Sequence, residues 1–142
     1  MPRAPAQPRA KRGTNDEAIA QGAIIAWLRT VGFPDALHCP NGGQRNPREA
    51  SRLKWQGVLA GVPDIIVPLP GGRVMWLEVK APPRWGLRNG KPAWLPAGKL
   101  AAEQKDFRDR RIADGGIWAV VTSIVETRIA LAENGIATRE AK

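Results

Sequence analysis

Gly61-Val62-Pro63-Asp64 opens the apolar run Asp64-Ile65-Ile66-Val67-Pro68-Leu69, and a second run, Arg73-Val74-Met75-Trp76-Leu77-Glu78-Val79-Lys80, follows after Pro70-Gly71-Gly72. Two strands joined by a tight turn account for this pattern of β-branched residues on either side of a Pro/Gly cluster. Side chains alternate along a strand, so Glu78 and Lys80 share one face while Val79 points to the other, into apolar surroundings. With a three-residue turn Leu69 stands opposite Arg73, and counting outward sets Asp64 opposite Glu78 on the same face. A two-residue turn slips the register by one and separates the two acids. The placement therefore rests on the longer loop, or on a bulge near Pro68.

Two carboxylates so placed can share one hard cation. Mg²⁺ is held by one or two carboxylates together with waters and phosphate oxygens, and requires neither histidine nor cysteine. Asp64 and Glu78 meet that requirement, with the Val79 carbonyl as a third ligand. A cation there polarises a phosphoryl oxygen and acidifies a water, and Lys80 is placed to orient that nucleophile and offset the charge developing on phosphorus. The competing reading is a Glu78–Lys80 ion pair on a solvated sheet face, a common arrangement worth little.

A further segment, Leu100-Ala101-Ala102-Glu103-Gln104, completes a pattern. With Gly61-Val62-Pro63-Asp64 and Glu78-Val79-Lys80 it resembles the VRR-Nuc branch of the PD-(D/E)XK nucleases, in a small stand-alone form, over about residues 14–133. The resemblance implies a restriction-endonuclease-like α/β core, with a mixed central sheet flanked by helices, and phosphodiester hydrolysis dependent on Mg²⁺ or Mn²⁺. It makes Asp64, Glu78, Lys80 and Gln104 catalytic, with Gln104 positioning the lysine, water or DNA. It adds Glu17 as a metal ligand beside Asp64, Glu78 and Val79, and Gln21, one helical turn on, toward the nucleic acid.

The residues support part of this independently, since Glu17, Gln21, Ile24, Leu28 and Val31 follow helical spacing and continue one stripe whose later members are apolar. Against it, Thr14-Asn15-Asp16-Glu17 also reads as a capping box, with Thr14 as N-cap and Glu17 reaching back. Two features depart from the family's pattern. Leu100-Ala101 replaces a common Leu-Ser, which removes a hydroxyl N-cap, and residues 82–98 form a long insertion rich in Trp, Arg and Lys.

The 142 residues, 43% of them hydrophobic, suit one domain. Residues 1–13 hold Pro2, Pro5 and Pro8 with Arg3, Arg9, Lys11 and Arg12 and no acid. They read as a disordered basic arm, leaving residues 14–142 as the nuclease-like domain. The net charge of +9 and a pI near 10.8 point to a polyanionic partner, with the excess in the arm and in residues 45–54, 84–99 and 108–111. Nucleic acid is the expected partner, and Arg45, Arg84, Arg88, Lys91 and Lys99 are candidate contacts. The resemblance adds Asn41, in the Asn41-Gly42-Gly43 turn.

Trp85 and Trp94 sit in the basic, Pro/Gly-rich insertion. They are read either as stacking on unpaired bases or as pinning the loop to the core or to a dimer partner. Trp27, Trp76 and Trp118 read as packing residues, with Trp76 sharing the parity of Glu78, and the role of Trp55 is left open.

Several classes are excluded. Gly86-Leu87-Arg88-Asn89-Gly90-Lys91 is one residue short of a phosphate-binding loop and is followed by Pro92, so no nucleotide cofactor is expected. Ser51 and Ser123 have no histidine partner in a recognisable context. Cys39 and His38 cannot make a zinc site or a disulfide framework, and both are read as strand residues. With neither a secretory pattern nor an apolar run of membrane length, a soluble cytoplasmic protein is expected.

The expected order is a helix over 14–31, a strand near 36–40, a basic loop, the two paired strands, a long loop, a helix over 100–113, a strand over 117–122 and a helix over 124–133. The crossover from Lys80 to Ile117 should be right-handed and make those strands parallel. The resulting expectation is a metal-dependent DNA endonuclease, which the resemblance extends to a homodimer acting on branched DNA such as Holliday junctions. The alternatives are a nucleic-acid-binding module of the same fold that does not cleave, and a sequence-specific restriction-type endonuclease.

Overall fold

The computed structural model describes residues 12–40 and 46–140, those before residue 16 by backbone alone. The expected arm lies outside them, except that Arg12 and Gly13 already belong to the first helix. The elements run α1 (Arg12–Thr30), β1 (Leu37–His38), α2 (Pro47–Trp55), β2 (Ile65–Pro68), a 3₁₀ turn (Pro70–Gly72), β3 (Val74–Val79), β4 (Arg84–Arg88), β5 (Lys91–Leu95), α3 (Ala102–Ala113), β6 (Ile117–Val121) and α4 (Ile124–Glu133).

The result is a mixed α/β fold. Its four-stranded sheet has the order β1-β2-β3-β6, antiparallel except for the parallel β3–β6 pair. Ile65 pairs with Leu77 and Pro68 with Val74, and the Leu69 N–H donates to the Arg73 carbonyl at 2.8 Å. The turn is thus three residues long, with Gly71 and Gly72 at φ of 78° and 74°, values at which a side chain would be strained. The register is the one the sequence predicts.

Strand alternation sorts the sheet into two faces. Ile65, Val67, Met75, Leu77, Val79 and Val121 are buried with Ile24 and Leu28 of α1 and Ala130 and Leu131 of α4, which together make the core. The opposite face carries Trp76, Glu78 and Trp118 and is covered by α3. Phe107 meets the Trp76 ring edge-on at 5.0 Å, and the Arg108 guanidinium lies over the Trp118 ring.

Helix ends follow from local chemistry. Past α1, Gly32 adopts φ 117° and the Phe33 N–H reaches back to the Leu28 carbonyl at 3.0 Å. Past α4, Gly135 and Ile136 repeat the device on Leu131. Both are Schellman closures in which the residue after the glycine buries its side chain.

Five expectations are corrected. Helix α1 begins at Arg12, so Thr14 lies within the helix and is not its N-cap. The basic segment before Gly61 is a helix, α2, capped by the Asn46 side chain, which accepts from the Glu49 N–H at 2.8 Å, with Pro47 in its first turn. The insertion is a hairpin, β4–β5, turning at Asn89 and Gly90 with φ of 52° and 75°. Asn-Gly favours this geometry because both residues tolerate positive φ. Helix α3 starts at Ala102, two residues later than expected, and Cys39 lies just beyond β1.

No helix among the described residues is long and apolar enough to cross a membrane. Leu77 is fully enclosed, whereas α2 buries no side chain, so the two should respond differently to truncation. Leu77→Ala is expected to lower the unfolding free energy by about 2–5 kcal/mol in urea titration. Asn46→Ala should leave the urea midpoint in place while speeding amide exchange within α2 alone.

Candidate active site

Asp64 enters β2 directly behind Pro63. Its carbonyl is held from the β1 side, accepting the Cys39 N–H at 2.7 Å and lying 2.8 Å from His38 Nδ1. Along β3 the backbone groups alternate: those of Arg73, Met75, Leu77 and Val79 face β2, and Lys80 donates toward β6, to the Val121 carbonyl. Extending the register sets Val79 opposite Pro63, which has no N–H to give. The Val79 N–H donates to Asp64 Oδ2 at 2.9 Å. The Val79 carbonyl, on the same edge, receives no backbone hydrogen bond from position 63. The proline thus supplies an uncapped carbonyl beside a fixed carboxylate.

Glu78 and Lys80 face α3. Glu78 is only 2% exposed, and its Oε1 accepts from Gln104 Nε2 at 2.6 Å and pairs with Lys80 Nζ at 3.2 Å. Gln104 Oε1 accepts from Lys80 Nζ at 3.1 Å and from the Ala101 N–H at 2.9 Å. One amide therefore orients the carboxylate, orients the ammonium and caps its own helix. This enclosed arrangement is not an ion pair on a solvated face.

The N-terminal helix completes the group. Burial raises the Glu17 carboxyl above its usual range, the Lys80 ammonium opposes that, the Asp64 carboxylate adds to it, and the Ala81 backbone amide opposes it. Glu78 is pushed up to about 7, first by burial and then by Asp64, against the pull of Lys80, with Glu17 adding a smaller push. Glu17, Asp64, Glu78 and Lys80 thus lie within electrostatic reach of one another. Three acids facing one ammonium favour an added cation. Among the described residues no three His, Cys, Asp or Glu side chains form a preformed metal cage, but a hard cation completed by waters and substrate oxygens does not need one.

Gly61 belongs to the motif that the sequence singles out, but its packing role emerges only in the fold. It sits at φ 85°, and a Cβ there would stand 2.2 Å from the Glu103 carbonyl oxygen. The chain before Asp64 is therefore in contact with the first turn of α3, which carries Gln104. The signal was present in Gly61-Val62-Pro63-Asp64, but the partner segment is remote in sequence.

The other candidate residues are distributed as follows. Gln21 lies one turn beyond Glu17 and is half-buried. Asn41 and Arg45 lie outside the described residues. Arg84 is bound to Asp16 at 2.9 Å, tying β4 to the helix that bears Glu17. Arg88, Lys91 and Lys99 are exposed, and the structure does not bring them into the carboxylate group. Trp85 and Trp94 do not pin the insertion to the core: they are 73% and 53% exposed and pack on each other edge to face, 5.8 Å apart.

No family model matches the chain, and neither a curated protein nor a solved structure does.

Two outcomes follow from this geometry. Gly61→Ala should lower the unfolding free energy by more than about 1 kcal/mol, from positive φ alone, with the collision at Glu103 adding to it. Thermal and urea denaturation check this. The folded state favours protonated Glu78, so its contribution to stability is complete below the ordinary carboxyl pKa of 4.5 and is lost as pH rises through about 7. Acting alone it amounts to on the order of 3 kcal/mol. Urea titrations across this window should show the decline, and Glu78→Gln should flatten it.

Proposed function

We propose that this chain is a nuclease of restriction-endonuclease-like fold that hydrolyses phosphodiester bonds in DNA with the help of Mg²⁺ or Mn²⁺, in the manner of the VRR-Nuc enzymes it resembles. The observation that carries this reading is Gln104 holding Glu78 and Lys80 together beside Asp64.

The donor set fits a hard divalent ion, because Asp64, Glu78 and the uncapped Val79 carbonyl offer oxygens only, and Glu17 supplies a further carboxylate close by. Such an ion, when bound, supplies Lewis acidity at a phosphoryl oxygen and eases ionisation of water. The chain's own residues do the rest. Asp64 is fixed by the Val79 N–H through Oδ2, which leaves Oδ1 for a cation. Glu78 is fixed through Oε1, which leaves Oε2.

Lys80 commits its ammonium to Glu78 and Gln104, and its third N–H is available for the attacking water or for a non-bridging phosphate oxygen. Placed there, it holds the nucleophile in line and offsets negative charge as the bond to phosphorus forms. Gln104 prevents Lys80 from swinging into solvent and so acts as a positioning residue. The basic surface supplies sequence-independent phosphate affinity. A two-fold homodimer would present two such sites for paired cuts across a junction, and branched DNA is the substrate class we assign.

Labelled four-way junction, flap and linear duplex should be incubated with Mg²⁺ or Mn²⁺ and the wild-type chain, Glu78→Ala or Lys80→Ala. Junction cleavage by the wild type, reduced at least about 100-fold in both variants, is expected. Tight binding without cleavage of any of the three would overturn the assignment and leave a non-cleaving nucleic-acid-binding module.

A further inference from the structure

The β4–β5 hairpin leaves and re-enters the domain at the catalytic lysine. It starts four residues after Lys80, and at its return a methyl group added to Gly98 would meet Lys80 Cδ at 3.3 Å. The register pairs Arg84 with Leu95, Trp85 with Trp94, Leu87 with Pro92 and Arg88 with Lys91. Alternation therefore puts Trp85, Leu87, Pro92 and Trp94 on one face. That face is open: Trp85, Leu87 and Trp94 are 73%, 63% and 53% exposed. The other face carries Arg84, whose guanidinium is bound to Asp16, and at the tip Arg88 and Lys91.

Charge identifies the occupant. From residue 79 to residue 102 the chain contains no acid and five basic residues, Lys80, Arg84, Arg88, Lys91 and Lys99. Arg88 and Lys91 stand directly opposite each other at the tip, a like-charge pair that destabilises an isolated hairpin. Among the described residues neither has an ion-pair partner. An open aromatic face on a hairpin whose tip carries two unneutralised cations on its other face matches a polyanion with exposed rings.

A second copy of the chain fits less well. Three side chains of at most about 250 Å² each fall short of the roughly 800 Å² per partner of a stable interface.

We infer that the β4–β5 hairpin is a base-stacking arm: Trp85 and Trp94 receive unpaired bases of the substrate, Arg88 and Lys91, reaching round the tip from the other face, hold the phosphates that continue past it, and the strand is thereby delivered to Lys80. The inference rests on the proposed nuclease reading for the last of these and deepens it, since it names unpaired nucleotides as what the enzyme selects.

The test is anisotropy of labelled oligothymidine and of a blunt duplex, titrated with the full chain in EDTA so that nothing is cut. For Trp85→Ala/Trp94→Ala, affinity for the single strand should fall about 5- to 150-fold for each platform removed, with duplex affinity held within about twofold. Trp85→Phe/Trp94→Phe, which keeps rings at both positions, should restore most of the loss and so separates stacking from a misfolded hairpin.

Equal losses on both oligonucleotides, no loss on either, or no rescue by phenylalanine would overturn the inference. So would conversion of a dimer to a monomer by the alanine pair in light scattering, which assigns the face to a second copy. Junction cleavage by a chain whose single-strand binding ignores the tryptophans overturns this inference alone. Single-strand binding through the pair, with no cleavage of any DNA, overturns the nuclease reading alone.

Discussion

The hydrogen bond from the Val79 N–H to Asp64 Oδ2 is the interaction on which the candidate site depends. It exists because two conditions coincide. The three-residue turn sets the register, and Asp64 has a side chain just long enough to reach across to the Val79 N–H; Pro63, without an N–H, in addition offers the Val79 carbonyl no donor. With a different residue at 63, the Val79 carbonyl would be absorbed into an ordinary ladder. A register shifted by one would put the aspartate on the apolar side, where its burial would be prohibitive. A small feature of strand pairing thus becomes a chemical one, with two acids and an uncapped carbonyl converging at one edge.

Across the sheet the same economy appears in Gln104. Glu78 is almost fully enclosed, and a carboxylate in that position is costly unless its lone pairs are met. Gln104 and Lys80 meet those of Oε1, while burial first, and then the repulsion from Asp64 and Glu17, keeps Glu78 reluctant to ionise. The site is therefore held together by contacts that do not neutralise it. Phe107, one turn beyond Gln104 on α3, seats the helix against Trp76, so packing on the sheet sets the reach of the amide.

Much of this could be read from the residues, because the deciding signals are periodic and local. Alternation over 73–80 and the Pro70-Gly71-Gly72 turn specify the register, and the Glu17 to Val31 stripe specifies the helix that carries the third acid. The elements that were misjudged have signals of another kind. In Asn46-Pro47-Arg48-Glu49 the start of α2 is marked by cap chemistry alone, with no apolar stripe behind it, since that helix buries nothing. In the insertion the Asn89-Gly90 turn is obscured by the three basic residues and the prolines around it. The role of Gly61 was beyond reach, because its neighbour at Glu103 is brought there by the tertiary fold and not by the chain.

That contact between Gly61 and the first turn of α3 also bears on how the domain assembles. The four acidic and basic groups come from segments near residues 17, 64 and 80, and the amide that aligns two of them comes from residue 104. These segments can meet only after the hairpin insertion and the parallel crossover have closed, and such closures carry a large entropic cost in folding. Local pairing of β2 with β3 alone brings Asp64 opposite Glu78 but leaves Lys80 without its brace. A partly folded or nascent chain would then carry the acids without the aligned ammonium, so the complete constellation belongs to the finished domain and is absent from its fragments.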